Sequence, residues 1–191
     1  MLLSTGEWLS NNLLTFFISI FLFFVLLWLI FLTDRGRLFR DKFLLKVPVF
    51  GKIINQNVLS KFGKTFGILV GSGVPVLDTM YLAKKVVDNR VYELAISKSA
   101  KHIENGSSIS DALKLNGIFP GVFIQLMQTG EETGEIDKLA LKISEFYAKQ
   151  VDATVDRLTS IIEPALIILI GAVVGIILIA VYMPIFKFGS A

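Results

Sequence analysis

Polar and apolar positions divide this chain into three parts. Residues 13–32, LLTFFISIFLFFVLLWLIFL, are twenty positions without a charge. At 1.5 Å rise per residue they make about 30 Å of helix, the thickness of a bilayer's hydrocarbon core. Residues 1–12 hold no Lys or Arg, and bulky side chains run up to Thr33-Asp34. The stretch therefore lacks the positive leader and small-residue cleavage site of a signal peptide. A second uncharged run, PALIILIGAVVGIILIAVYM, fills 164–183 and predicts a span over 161–183. Trp28 and Tyr182 fall near span ends, as aromatic residues do at membrane interfaces.

The segment between the spans has a helical rhythm. No stretch alternates apolar and polar over a strand's length between turn signals, so an all-α fold is expected. Val58, Phe62, Phe66, Leu69 and Val70 share one helix face, and Gly71-Ser72-Gly73 ends it. Pro75 starts a second helix with a stripe at Val76, Met80, Ala83 and Val87. Asp88 or Asn89 caps a third that runs to about Asn105. Ser108 or Ser110 caps a short fourth reaching Leu115. Pro120 opens a fifth that halts at Gly130. From Glu135, Ile136, Leu139, Ile143 and Phe146 set a three-four spacing with no breaker before Pro164. One helix of about 70 Å is expected there, running from the bundle into the second span. Such a helix serves either as a lever or as a plain tether. The expected organisation is a tail at 1–12, a span at 13–32, a basic linker at 33–53, a bundle at 54–160, a span at 161–183 and a tail at 184–191.

Charge orients this arrangement. Of 19 Lys and Arg, 18 fall between Asp34 and Ser160, and Arg35, Arg37, Arg40, Lys42 and Lys46 crowd the end of the first span. The positive-inside rule places 34–160 in the cytoplasm and both termini outside. The basic cluster also suits anionic lipid headgroups. Over the whole chain 53% of residues are hydrophobic and 18% charged, below the charge content of an ordinary soluble domain. The net charge of +3 is too small to suggest a nucleic-acid partner.

Most chemistries lack their residues. Cysteine is absent, which excludes disulfides, Cys zinc sites and thiol nucleophiles. Gly63-Lys64-Thr65 ends like a phosphate-binding loop, but Val58 stands where the first glycine belongs and the flanks read as apolar helix. His102 is the only histidine, with no second ligand to complete a metal site. Neither Asp152 with Asp156 nor Glu131 with Glu132 has calcium-loop spacing. The sequon Asn105-Gly106-Ser107 falls on the cytoplasmic side. Within the spans at 13–32 and 161–183 the only ionisable group is Glu163, which argues against an intramembrane protease or transporter. No catalytic residue, cofactor or metal is expected.

Two span features rise above this background. Gly171 and Gly175 form G-x-x-x-G in an apolar helix, which lets two helices approach closely. Glu163-Pro164 sets a carboxylate at the edge of the hydrocarbon next to a residue that can bend a helix. It reads as a partner-facing charge beside a hinge, or simply as a marker of the interface.

Several short motifs then occur in order: Gly71-Ser-Gly-Val-Pro75, Ile103-Glu-Asn-Gly106, Ser110-x-Ala112-Leu113, Phe119-Pro120, Gly130-Glu-Glu-Thr-Gly134 and Glu163-Pro164. Together, over about residues 5–188, they closely resemble the inner-membrane platform protein F of type II secretion systems and its type IV pilus counterpart. The resemblance implies a cytoplasmic bundle of about six helices between membrane spans in the bacterial inner membrane. That family typically carries two such modules and three spans, and this chain resembles the second half alone. The first module is then expected on a longer or split product, or from another copy.

The resemblance also implies a non-enzymatic platform that couples a cytoplasmic hexameric ATPase to the assembly of pilin or pseudopilin subunits. Its expected partners are that ATPase, pilin-like subunits, other inner-membrane platform components, membrane lipids and further copies of itself. In that light Gly130 and Gly134 are expected to flank a tight turn presenting Glu131 and Glu132 outward, to the ATPase or a neighbouring subunit. A plain inter-helix turn is the simpler alternative. The rival functional class is a membrane-anchored scaffold or transporter accessory subunit unrelated to pili.

Overall fold

A computed structural model describes residues 33–188 together with Ile18, Ser19, Phe21, Leu22 and Val25. Apart from those five positions, the expected span at 13–32 lies outside the described residues, as does the tail at 1–12. The described residues contain no strand. They form α1 (Asp34–Lys46), α2 (Phe50–Gly71), α3 (Val76–Ala83), a 3-10 turn (Lys84–Val86), α4 (Arg90–Glu104), α5 (Ile109–Lys114), α6 (Gly121–Thr133) and α7 (Ile136–Phe188).

The core gathers on the apolar stripe of α2. Phe62 and Phe66 are fully buried. Phe62 meets Phe119 and Phe123 with ring centroids 5.8 and 5.9 Å apart. Tyr92 packs edge-on to Phe119 at 5.7 Å, and Tyr147 of α7 closes the cluster on Phe123 at 6.3 Å. Tilted and edge-on rings at these separations add to the area they bury. Met80, Ile96, Leu113, Met127 and Ile143 bring in the remaining helices.

Local chemistry explains the boundaries. Asn89 is the cap of α4, its Oδ1 accepting the N–H of Val91 and of Tyr92 at 3.1 and 3.3 Å. Asp88 instead takes φ +48 and pairs with Lys61 at 2.5 Å. Ser108 caps α5, accepting the Asp111 N–H at 3.1 Å. Both choices had been open in the sequence.

Two expectations are corrected. First, the fifth predicted helix does not halt at Gly130. It continues to Thr133 and stops at Gly134, which adopts the left-handed conformation at φ +73. That conformation ends the helix; Gly130 keeps helical geometry and is buried. Second, the basic stretch expected as a linker folds largely as α1. Leu38, Asp41 and Leu45 recur at three- and four-residue spacing and turn toward the bundle, where Leu45 packs on the core. Asp41 is 4% exposed, and its Oδ2 accepts the N–H of Arg90 at the start of α4 at 2.8 Å.

The last helix is longer than expected. Its 53 residues span about 80 Å, and the helix continues through Glu163-Pro164.

Candidate functional site

The seam between α2 and α7 is built on small residues. Gly63, Gly67 and Gly71 recur every fourth position along α2 and face the first turns of α7. A β-carbon at Gly63 would stand 2.9 Å from the carbonyl oxygen of Ala140, and one at Gly67 2.8 Å from that of Asp137. Neither position has room for a β-carbon. Polar groups continue the seam: the Ser60 hydroxyl donates to the carbonyl of Ser144 at 3.0 Å, and the Gln56 amide donates to Gln150 at 2.7 Å. The Thr154 hydroxyl donates to the carbonyl of Gln150 at 2.7 Å and to the Gln56 side chain at 3.4 Å. The first half of α7 is thereby fixed to the bundle as far as Thr154.

Beyond Thr154 the other described residues leave most of the helix exposed. Ile167, Ile168 and Ile176 are 66%, 72% and 67% exposed. This is the one helix among the described residues long and apolar enough to cross a membrane. Glu163 and Pro164 lie exposed where the charged half gives way to the apolar half. Gly171 and Gly175 sit in the apolar half, and among the described residues no heavy atom lies within 4 Å of a β-carbon placed on either.

The corner of α5 and α6 holds the acidic residues singled out in the sequence, arranged differently from the expectation. Glu131 does not point outward. Its Oε1 accepts the N–H of Ile109 at 2.8 Å, and its Oε2 accepts the N–H and hydroxyl of Ser110 at 3.2 and 3.0 Å. The carboxylate satisfies donors at the start of α5 that have no partner within that helix. Glu132 is exposed and accepts from the Gln128 amide at 2.8 Å. Between the helices lies a shallow depression of about 340 Å³ lined by Ser108, Ser110, Asp111, Gln128, Glu131 and Glu132. Three carboxylates against no cation give it negative character, suited to a basic partner surface. Gly130 and Gly134 serve the neighbouring connection to α7. A β-carbon at Gly130 would lie 2.7 Å from the Ile136 Cα.

The perturbed titrations belong to the fold. Burial pushes the Tyr92 phenol well above its ordinary 10.0, helped by the nearby Tyr147, and burial raises Tyr147 too. Tyr92 donates to Asn55, so its hydroxyl is satisfied inside the core. Tyr81 is raised chiefly because its hydroxyl donates to the Glu104 carboxylate at 2.8 Å. His102 is exposed on α4. Among the described residues no group of three His, Asp or Glu is placed to hold a metal ion.

Sequence reasoning passed over the glycine seam and the carboxylate caps. The seam had a legible signal, since Gly63-x-x-x-Gly67-x-x-x-Gly71 is the same small-residue spacing noted at Gly171 and Gly175. The caps had none: Asp41 and Arg90, or Glu131 and Ile109, meet only after the helices pack.

Comparison with known proteins adds the family context. The family described as Type II secretion system (T2SS), protein F matches residues 62–184. The chain is 40% identical over 157 residues to the type IV pilus assembly protein PilC of Myxococcus xanthus, covering 82% of this chain and 38% of that protein. It is 32% identical over 171 residues to the PilC of Thermus thermophilus, covering 89% and 42%. It is also 30% identical over 154 residues to the type II secretion system protein F of Pseudomonas aeruginosa, covering 79% and 38%. The chain thus spans about two-fifths of the length of these relatives.

Proposed function

The chain belongs to the family of type II secretion system protein F, and from that premise we propose that it is a platform subunit of a pilus or secretion machine in the bacterial inner membrane. The uncovered half of α7 and the uncharged run at 13–32 cross the bilayer. The bundle lies in the cytoplasm, as the positive-inside distribution of Lys and Arg requires. The protein performs no catalysis of its own and acts by holding other components.

The observation that carries this reading is the construction of α7. One continuous helix is fixed along α2 as far as Thr154, stays exposed beyond it, and is apolar from Pro164. A displacement of the bundle is therefore passed along a rigid rod into the membrane. The bundle is the face a cytoplasmic hexameric ATPase would push or turn. The membrane half is where pilin or pseudopilin subunits, other platform components and further copies of the chain would meet it. The acidic depression at Asp111 and Glu132 is the ATPase contact, and the open Gly171 and Gly175 face joins membrane helices, with Glu163 and Pro164 at its upper edge.

The test is recovery of native complexes from gently solubilised membranes. A pilus or secretion ATPase and pilin-like subunits are expected to co-purify with the tagged protein. Recovery of an unrelated complex would overturn the platform role. Asp111→Lys with Glu132→Lys leaves the Glu131 cap in place and is expected to lower ATPase recovery at unchanged protein level. Unchanged recovery would remove the depression from the argument. Gly171→Leu with Gly175→Leu is expected to shrink oligomers in mild detergent; oligomers of unaltered size would end the helix-packing assignment.

A further inference from the structure

Helix α1 has one face that the bundle does not use. Leu38, Asp41 and Leu45 point to α2 and α4. The opposite face carries Arg35, Phe39, Lys42, Phe43 and Lys46, all exposed. Phe39 and Phe43 are 72% and 63% exposed, and with Lys42 and Lys46 they line a shallow apolar groove of about 250 Å³. Phe50, at the start of α2 four residues beyond Lys46, is also exposed, at 61%. Exposed phenylalanines in water carry a steady cost, so this face calls for an apolar environment.

The charges of the same helix are sorted. Its acids are engaged elsewhere: Asp41 is buried and accepts the Arg90 N–H at 2.8 Å, and the exposed Asp34 pairs with Arg90 at 3.5 Å. Arg35, Lys42 and Lys46, beside the rings, make no ion pair with other described residues. The outward face is therefore aromatic and purely cationic, the complement of an anionic surface with an apolar layer beneath it.

The chain itself says where such a surface lies. The uncharged run ends at Leu32 and α1 begins at Asp34. Two residues reach at most about 7 Å, so α1 starts within that distance of the end of the run. We propose that α1 is an interfacial helix lying on the bilayer. Phe39, Phe43 and Phe50 enter the headgroup boundary, and Arg35, Lys42 and Lys46 contact anionic lipid phosphates. The proposal rests on residues 13–32 crossing the membrane. Amphipathic helices of this composition bind in the interface plane by buried apolar area together with attraction to anionic lipid. With Asp41 locked to the start of α4, the same helix sets the height and tilt of the whole bundle against the membrane.

The absence of cysteine allows single nitroxide labels on the full chain, reconstituted in vesicles of phosphatidylethanolamine and phosphatidylglycerol. Labels at Phe43→Cys, Leu22→Cys and Leu115→Cys report collision with oxygen, which favours lipid, and with a water-soluble nickel chelate. The expected oxygen-to-nickel ratio at position 43 is several-fold above that at position 115, which lies 66% exposed on the bundle, and below that at position 22. A ratio at 43 equal to that at 115, with 22 still in lipid, overturns the proposal while leaving the span intact. Nickel access at 22 overturns the span and the proposal together. Shielding of 43 from both reagents overturns it in favour of a protein neighbour.

The charge argument has its own measurement. In vesicles of phosphatidylcholine alone, the ratio at 43 is expected to fall toward that at 115, because each cation held near an anionic surface is worth about fivefold in binding. Arg35→Glu with Lys42→Glu and Lys46→Glu is expected to do the same in anionic vesicles, with label motion at 115 unchanged. A ratio indifferent to lipid charge overturns the role of the three cations.

Discussion

Gly130 of α6 and Ile136 of α7 approach so closely that a β-carbon on the glycine would stand 2.7 Å from the Ile136 Cα. The contact turns the chain from α6 back along the bundle within the two residues Gly134 and Glu135. It also explains two glycines four apart around two glutamates: Gly130 makes room, and Gly134 supplies the left-handed end.

The two glycines are expected to fail for different reasons. Gly130→Ala adds a methyl group against backbone, and overpacking of about 1–3 kcal/mol outweighs the better helix propensity of alanine. Gly134→Ala forces a side chain into φ +73, at about 1–2 kcal/mol. Gly171→Ala meets no heavy atom of the described residues and is expected to leave the stability of the bundle unchanged. Thermal unfolding of the three variants in the same detergent checks the order.

Glu131 and Glu132 are neighbours with opposite expected behaviour. Glu131→Ala leaves the N–H groups of Ile109 and Ser110 without their acceptor, and a loss of about 1.5–3 kcal/mol is expected for bonds to a charged group. Glu132→Ala removes an exposed contact and is expected within about 0.5 kcal/mol of the parent. Amide exchange at Ile109 and Ser110 should quicken in the first variant alone.

The seam makes a third prediction. Gly67→Ala places its β-carbon 2.8 Å from the Asp137 carbonyl and against Leu141, and Gly63→Ala presses on Ala140. Each is expected to push α7 off α2 and cost about 1–3 kcal/mol. If α7 transmits displacement, both should also lower pilus or secretion output more than equally destabilising changes in α4 do. An assembly assay on variants matched for melting temperature reads this directly.

The buried tyrosines give a pH dependence with a definite sign. The folded state holds the protons of Tyr92 and Tyr147 more tightly than the unfolded chain does, because burial disfavours the phenolates. Their contribution is fully present below the ordinary value of 10.0 and is lost as pH rises above it, where the unfolded chain ionises first. Stability in this respect should be flat from neutral pH to about 9 and fall steeply beyond about 10. Tyr92→Phe is expected to soften the alkaline fall, while losing the bond to Asn55 lowers the plateau. Unfolding midpoints taken across pH 7 to 11 test both.

Local spacing along the chain was enough for the helices after α1, most of their ends and the long apolar half of α7. These depend on spacing along one strand of chain: the Val58-Phe62-Phe66 stripe, the stop at Gly71-Ser72-Gly73, and the uncharged twenty residues from Pro164. The ordered motifs also carried the family. Boundaries with two plausible residues, Asp88 or Asn89 and Ser108 or Ser110, stayed open because either side chain can cap and only the local backbone selects one.

Tertiary structure decided everything that joins distant positions. A carboxylate has the same local signature whether it faces water or a helix end, so the sequence showed Glu131 only as half of an acidic pair. Packing α5 against α6 turned it into a cap. The basic run after Leu32 looked like a linker because charge dominates its composition. It became a helix because Leu38, Asp41 and Leu45 find the bundle on one side, leaving an aromatic and cationic face on the other. Gly63 resembled a fragment of a phosphate loop until α7 closed over it. In each case the residue was visible, and its partner was fixed only when separate helices were brought within contact.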